Sequence, residues 1–193
     1  MMTKDELVDL FRRSGALLDG HFHLSSGLHS GGYLQCALVL QHPAEAEALG
    51  RAIAARTRGL RPTVVLSPAL GGVVIGHEVG RALGVRHVFV ERQDGVLTLR
   101  RGFVLADADR VLVVEDVLTT GGSTRETMQV AVAAGARVVG VASIVDRSGG
   151  TARFGVPFES LLAVSLPTYE PQACPLCAQG MSVIKPGSRP VAT

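Results

Sequence analysis

The amino-acid sequence predicts a single α/β domain built on a parallel, doubly wound β-sheet. Short, almost continuously apolar segments alternate along the chain with segments of helical periodicity, and strands of that kind are buried on both faces beneath helices. The length of 193 residues fits one domain, and neither an internal repeat nor a low-complexity linker divides it. The predicted strands are residues 64–67, 87–91, 111–115, 138–145 and 161–164.

The first helix is predicted over residues 4–18. Thr3 and Glu6 form a capping box, and apolar side chains follow at helical spacing. Gly20 is expected to end this helix. The Gly- and Ser-rich segment that comes next contains two short β-like pieces, residues 22–24 and 33–35.

The remaining helices are predicted before and between the strands of the sheet. Pro43 opens the second helix as its first residue. Later helices are predicted over residues 72–83 and 123–134, each following an apolar strand, which is the rhythm of a parallel sheet.

Two segments depart from this rhythm. Residues 92–105 contain two glycines and three arginines and are predicted to form a mobile hairpin or flap. After Pro167 the pattern becomes irregular, and residues 187–193 are predicted to be a frayed tail.

Composition and charge argue against several classes of protein. The chain is 47% hydrophobic and 19% charged, which is typical of a globular protein with a sizeable core, and a net charge of +2 gives no argument for binding nucleic acid or a membrane. The opening residues MMTKDEL do not form a signal peptide, and the longest apolar stretch is far shorter than the ~18 residues that span a bilayer. Three cysteines provide no disulfide framework. We therefore expect a soluble, cytoplasmic protein.

The strongest functional signal lies in residues 111–124, VLVVEDVLTTGGST. An apolar strand reaches Glu115 and Asp116, a loop of small and hydroxyl residues follows, and a helix begins. The N–H groups of that loop and the helix N-terminus form an anion site suited to a phosphate, at the edge of the sheet where ligands bind. Adjacent acids would repel a phosphate, but they suit sugar hydroxyls and an outer-sphere role near Mg²⁺. A phosphorylated ribose satisfies both halves of this site.

Other phosphate motifs do not fit the sequence. A P-loop requires a lysine after its last glycine, and lysine occurs only at Lys4 and Lys185. The glycines of residues 71–76 do not have the spacing of a dinucleotide-binding fingerprint. The plain alternative is a buried strand, a glycine turn and a capped helix without a ligand.

The segment VLVVEDVLTTGGST resembles the signature of type I phosphoribosyltransferases, which bind 5-phosphoribosyl 1-diphosphate. Three further segments resemble the orotate-specific branch of that family, and the resemblance spans about residues 5–165. The segments are GHFHLSSGLHS at residues 20–30, SPALGG at residues 67–72 and IVDR at residues 144–147.

The resemblance implies the fold of that family, with three accessory parts. These are an N-terminal helix/β hood (residues 1–40), a flexible flap (residues 92–105) and a C-terminal tail (residues 168–193). It also implies transfer of phosphoribosyl from its diphosphate to orotate, a requirement for Mg²⁺ and a homodimer with shared active sites. A purine-type phosphoribosyltransferase and a regulator that senses phosphoribosyl diphosphate without turnover are the alternatives.

The resemblance assigns roles to individual residues. Asp116, Arg100 and Arg101 are expected to act in catalysis, and Thr119 and Arg147 are expected to contact orotate. The residues expected to bind phosphoribosyl diphosphate are Arg92, Glu115, Asp116, Val117, Leu118, Thr119, Thr120, Gly121, Gly122 and Ser123.

Each of these roles has a plainer alternative. Thr119 would be a simple turn hydroxyl, and Arg100 and Arg101 a solvated charge pair. Arg147 would form a surface ion pair with Asp146 or Asp107.

The sequence departs from the family in its lysines. Relatives carry several lysines in the flap, one of which stabilises the leaving diphosphate from the neighbouring subunit, and this chain has only arginines there. Arginine is a sound substitute because its planar fork binds two oxygens at once. Two further family lysines are replaced by Ser25 and Gly71.

Histidines and cysteines give a weaker signal. His21, His23 and His29 lie on one segment, but no carboxylate spacing supports a metal cluster. Cys174 and Cys177 resemble half of a zinc knuckle, which two chains could complete across a dimer. A turn with free thiols is the favoured interpretation, and no protein-held metal site is predicted.

Overall fold

Two β-sheets organise the residues that the computed structural model describes, 2–24 and 26–185. In chain order the strands are β1 (Leu17–His23), β2 (His29–Leu34), β3 (Val64–Pro68), β4 (Arg86–Gln93), β5 (Val96–Leu99), β6 (Arg110–Leu118), β7 (Arg137–Asp146), β8 (Phe158–Ala163) and β9 (Thr168–Tyr169). The helices are α1 (Lys4–Arg13), α2 (Ala37–Leu40), α3 (Pro43–Thr57), α4 (Gly71–Leu83), α5 (Gly122–Ala133) and α6 (Pro175–Ala178), with 3₁₀ turns at Arg58–Leu60 and Pro171–Ala173.

The larger sheet has six strands in the order β5-β4-β3-β6-β7-β8. Every neighbouring pair is parallel except β4 and β5, which form an antiparallel hairpin. The chain winds outward in both directions from the centre, so the strand order reverses between β3 and β6. Such a reversal opens a crevice beyond the carboxyl ends of the two central strands.

Helices cover both faces of this sheet, as the sequence predicted. Leu112 and Val114 of β6 are fully buried in one core cluster with residues of α1, α3 and α4. Val111 and Val113 alternate with them and belong to a second cluster, which includes Ala131 of α5. Side chains along a strand point alternately to opposite faces, so one apolar run supplies both cores.

The first helix is shorter than predicted. Helix α1 begins with the expected capping box between Thr3 and Glu6, but it ends at Arg13 rather than residue 18. Gly15 adopts a left-handed φ of 70°, and Leu17 then starts β1, where it pairs with Leu34. The leucines at positions 17 and 18 fit a helical spacing, but pairing with β2 decides their conformation.

The predicted hairpin at residues 92–105 is present as the β4–β5 pair. Its two-residue turn is Asp94-Gly95, whose φ values of 52° and 84° are left-handed, as in the turns that match the twist of a hairpin. Leu97 of β5 is buried in the second core cluster, so the hairpin is anchored in the fold. Its mobility stays a prediction.

The smaller sheet, which we call the hood sheet, has the order β1-β2-β9. Its third strand comes from the C-terminal part of the chain, which the sequence predicted to be irregular. Beyond β9 the chain returns to the opposite edge, where Ile184 bridges Phe22 of β1. Residues 168–185, the tail segment, therefore contact both edges of the β1–β2 hairpin. The frayed tail predicted at residues 187–193 lies outside the described residues.

No helix within residues 2–24 and 26–185 combines the length and the apolar character that crossing a bilayer requires.

Candidate active site

The two loops singled out from the sequence lie on either side of the central crevice. Strand β3 ends at Pro68, within the SPALGG loop (residues 67–72). Strand β6 ends at Leu118 and leads into the TTGGS loop (residues 119–123). Because β3 and β6 are neighbouring parallel strands, both loops leave the same edge of the sheet. The fold thus joins two segments that are about fifty residues apart in the sequence.

The loop after β6 exposes two hydroxyl side chains and the N-terminus of helix α5. Thr119 and Thr120 are exposed, and Gly121 takes a left-handed φ of 76° immediately before α5. The first-turn N–H groups of a helix lack partners within the helix, and the helix dipole adds positive potential there. Gly122 and Ser123 open this first turn, so their backbone groups are available to a phosphate.

Strand β6 is longer than predicted and carries the two acids on opposite faces of the sheet. The sequence suggested a strand over residues 111–115, but β6 continues to Leu118 because its ladder with β7 runs to the Leu118–Asp146 pair. Within a strand, consecutive side chains alternate. Glu115 and Asp116 are therefore not a side-by-side pair of carboxylates.

Glu115 holds the start of α5. Its buried carboxylate accepts a hydrogen bond of 2.7 Å from the Ser123 hydroxyl and another from the Thr124 hydroxyl. Burial raises the pKa of Glu115, and the two hydroxyl donors partly oppose that shift. In this conformation both oxygens are occupied by protein donors, and a role for Glu115 in binding ribose stays a prediction.

Asp116 faces the opposite side, against the beginning of α4. A Cβ atom at Gly71 would lie 2.6 Å from its Oδ1 atom, so any side chain at position 71 would displace this carboxylate. Burial raises the pKa of Asp116, while hydrogen bonds from the backbone N–H groups of Val117 and Asp116 act in the other direction. No side chain of the described residues donates a hydrogen bond to the Asp116 carboxylate, which leaves it available to a ligand.

Val117 and Leu118, the other predicted residues of this segment, form the end of strand β6. Val117 is half-buried, and Leu118 is buried in the second core cluster. The Leu118 carbonyl accepts a 2.7 Å hydrogen bond from the N–H of Arg147. That bond brings the predicted orotate residues, Thr119 and Arg147, to adjacent strand ends.

The Arg147 side chain is partly buried without an acidic partner among the described residues. Its Nε atom is buried and has no partner among the described residues, and burial lowers the pKa of its guanidinium group. Arg147 forms no ion pair within the part of the chain that the structure describes, so the surface pair with Asp146 or Asp107 is not formed. Asp146 instead accepts a 2.7 Å bond from the N–H of Ser148.

The flap arginines differ in their partners. Arg101 forms a two-pronged ion pair with Glu91, with N–O distances of 2.7 and 2.8 Å, and this contact lowers the pKa of the Glu91 carboxyl. Arg92 pairs with Glu126 of α5 at 3.0 Å. Arg100 is exposed and has no ion-pair partner among residues 2–24 and 26–185. It is the flap arginine with a free guanidinium group in this conformation.

Sequence reasoning missed one residue beneath the SPALGG loop. The His87 Nε2 atom lies 2.7 Å from the Ser67 hydroxyl at the end of β3. Burial, with a smaller contribution from His77, lowers the pKa of His87 to about 4. A single histidine within an apolar strand was the only signal, and its contact with position 67 depends on the pairing of β3 with β4.

Comparisons with known proteins define the class to which this fold and site belong. Residues 37–154, more than half of the chain, match the family described as phosphoribosyl transferase domain. Two solved structures named orotate phosphoribosyltransferase share the fold. The one from Mycobacterium tuberculosis, in complex with inorganic phosphate, has a TM-score of 0.69 and 29% identity and covers 83% of this chain and 95% of its own. The one from Aeropyrum pernix has a TM-score of 0.69 and 26% identity, with coverage of 82% and 93%. The predicted fold class is confirmed.

Full-length relatives narrow the assignment. The orotate phosphoribosyltransferase of Pelotomaculum thermopropionicum is 53% identical over 190 residues, which are 98% of this chain and 100% of the relative. That of Heliobacterium modesticaldum is 54% identical over 191 residues, 97% of this chain and 100% of the relative. The chain belongs to the orotate phosphoribosyltransferase family, as its motifs predicted.

Proposed function

We propose that this chain transfers a phosphoribosyl group from 5-phosphoribosyl 1-diphosphate to orotate, which yields orotidine 5′-phosphate and diphosphate. One observation carries the proposal. In a chain similar over its full length to enzymes named for this reaction, the SPALGG loop, the TTGGS loop and Arg147 border one crevice. Together they offer sites for a diphosphate, a sugar phosphate and a carboxylate.

The first step of the proposed mechanism is binding of the donor. The 5′-phosphate would lie at the N-terminus of α5, against the N–H groups of Gly122 and Ser123. The ribose hydroxyls would face Asp116, whose carboxylate receives no hydrogen bond from another described side chain. The diphosphate would extend toward the loop after β3, where Gly71 permits close approach to Asp116.

The second step is positioning of the base. The orotate carboxylate would pair with Arg147, whose buried Nε lacks a partner among the described residues. Thr119, on the adjacent strand end, would border both the ribose and the base. The ring nitrogen of orotate then attacks C1 of the ribose as the bond to diphosphate breaks. Charge develops on the ribose and on the leaving group, so fixed charges at these positions stabilise the transition state.

The site fits Mg²⁺ bound largely by the substrate. Mg²⁺ prefers oxygen ligands and keeps several waters, with one or two carboxylates and the substrate phosphates completing its shell. Asp116 offers a carboxylate at the crevice, whereas both oxygens of Glu115 accept bonds from protein hydroxyls. When bound, Mg²⁺ would neutralise charge on the diphosphate.

We also propose a homodimer in which the flap of one subunit serves the site of the other. The free guanidinium group of Arg100 supports a role in gripping diphosphate, and closure of the flap would exclude water. The three free cysteines support function in a reducing compartment such as the cytoplasm.

A substrate panel tests the proposed reaction. The full chain is incubated with 5-phosphoribosyl 1-diphosphate and Mg²⁺, and with orotate, uracil, adenine, guanine or xanthine as the acceptor. We expect diphosphate to be released only when orotate is the acceptor. Turnover with a purine would replace the proposed acceptor, and tight donor binding without turnover on any base would indicate a sensor.

Mixing of two inactive variants tests the shared site. Arg100→Ala/Arg101→Ala protein and Asp116→Asn protein are combined after verified subunit exchange. A hybrid dimer has one intact site, so recovery should reach at most about a quarter of wild-type activity for random exchange. No recovery would place the arginines in the site of their own subunit or outside catalysis.

A further inference from the structure

Four side chains with metal-binding atoms converge between the hood sheet and the tail segment. His21 and His29 come from the antiparallel strands β1 and β2. Cys174 immediately precedes α6, and Cys177 lies within it. One ligand atom from each residue lies within 4.8 Å of all the others. Two imidazole nitrogens and two thiols form a donor set that proteins use for zinc.

The measured sulfur–nitrogen distances between these residues match a single tetrahedral ion. The Sγ atoms of Cys174 and Cys177 lie 3.5 and 3.7 Å from His21 Nε2, and Cys177 Sγ lies 3.3 Å from His29 Nδ1. Tetrahedral zinc with Zn–N of about 2.0–2.1 Å and Zn–S of about 2.3 Å separates N from S by about 3.5 Å. The two nitrogens are 2.8 Å apart and would separate by about half an ångström around such an ion.

Hydrogen bonding alone does not account for this cluster. The Nδ1 atom of His21 lies 2.8 Å from the carbonyl oxygen of Met181, and a carbonyl only accepts, so the proton of the neutral ring belongs on Nδ1. The Nε2 atom then has one lone pair, which His29, Cys174 and Cys177 all approach. One lone pair accepts one hydrogen bond, so hydrogen bonding explains only one of these three contacts. A single metal ion bound by all four side chains would explain them all.

The surroundings also suit a metal centre. A histidine ligand is usually oriented by a hydrogen bond from its other nitrogen to a carbonyl or carboxylate, and Met181 provides that carbonyl for His21. His21, His29 and Cys174 are buried, with 2%, 8% and 3% exposure, while Cys177 is exposed. The site is therefore shielded from bulk water and has an entry path on the side of Cys177.

We propose that His21, His29, Cys174 and Cys177 of one chain bind a zinc ion. All four positions are filled by protein side chains, so the ion is structural rather than catalytic. It links the tail segment to the hood sheet through residues 20–30, which supply two of the four ligands. The three sulfur–nitrogen distances of 3.3–3.7 Å fit one centre, so a two-iron cluster that divides the ligands between two irons is not favoured.

Metal analysis of the purified full chain tests the site. Mass spectrometry of digested protein, purified without chelators and dialysed, should give about one zinc per chain. Cys177→Ser and His29→Ala variants should lose it. His23→Ala and Cys36→Ala are the matched controls, since they remove a histidine and a thiol outside the cluster, and both should retain it.

A second measurement uses the unaltered sequence, so it does not depend on how a variant folds. Zinc is removed from the wild-type chain with a chelator and replaced by Co²⁺, whose absorption spectrum reports tetrahedral geometry and thiolate ligands. Hydrogen exchange should rise after zinc removal in residues 21–23 and 181–184, and stay unchanged in β6.

Several results would overturn the proposal. One is metal content below about a tenth of an equivalent after incubation with zinc. The proposal would also be wrong if the protein contained iron in place of zinc, or if freshly purified protein contained a Cys174–Cys177 disulfide. Equal zinc content in the wild type and the Cys177→Ser variant would overturn it as well.

Discussion

Acidification should weaken the fold beneath the SPALGG loop through His87. Burial lowers the pKa of His87 from 6.5 to about 4, so the folded protein holds this ring neutral at pH values where the unfolded chain protonates it. The resulting stability is fully present above pH 6.5 and is lost as the pH falls toward 4. From these two pKa values, the free energy of unfolding should fall by about 2 kcal/mol between about pH 7.5 and about pH 5.

The test compares the wild type with His87→Gln, which keeps a neutral polar partner for Ser67 but does not titrate. Urea unfolding of both proteins is measured over that pH range. All other ionisable groups are common to both proteins, so their contributions cancel in the difference. The two stability curves should diverge by about 2 kcal/mol at pH 5. Curves that stay parallel would refute the assignment of a depressed pKa to His87.

Three further substitutions probe the site and the core. Asp116→Asn should lower kcat strongly with an unchanged melting temperature, and near wild-type kcat would remove Asp116 from the mechanism. Arg147→Ala should raise the KM for orotate far more than that for the donor, because the loss of a buried charged hydrogen-bond partner costs about 2–5 kcal/mol of binding free energy. Equal effects on both KM values would make Arg147 structural. Gly50→Ala should destabilise the protein by about 1–3 kcal/mol, because its Cβ would lie 2.6 Å from Glu78 Cβ and 2.8 Å from Glu78 C. Gly59→Ala, whose Cβ would meet nothing within 4 Å, is the control in urea unfolding.

The strands of the larger sheet were predictable because they are buried on both faces and are therefore apolar throughout. The end of β6 was not. The strand continues through Glu115 and Asp116 because β7 continues beside it, and a pairing partner is invisible in a local pattern. That extension places the two acids on opposite faces, so Glu115 holds helix α5 while Asp116 faces the crevice.

The end of the first helix and the proposed zinc site could not be predicted for a related reason. Leu17 suits the apolar face of a helix as well as that of a strand, and only the partner strand decides between them. His21 and Cys174 are separated by more than 150 residues, so no spacing within the sequence could reveal their contact. The family motifs, by contrast, are local, and the family was predicted correctly from them.

The tail segment's contacts with both edges of the hood sheet impose an order on folding during synthesis. Residues 17–34 leave the ribosome early, but their partners in β9 and at Ile184 emerge after the whole of the larger sheet. A two-stranded hairpin has little stability by itself, and domains assemble as their contacts become available during translation. We therefore expect the α/β core to fold while the hood hairpin is still incomplete. In a nascent chain from which residues 1–167 have left the ribosome, β6 should be protected from proteolysis while β1 stays open to cleavage.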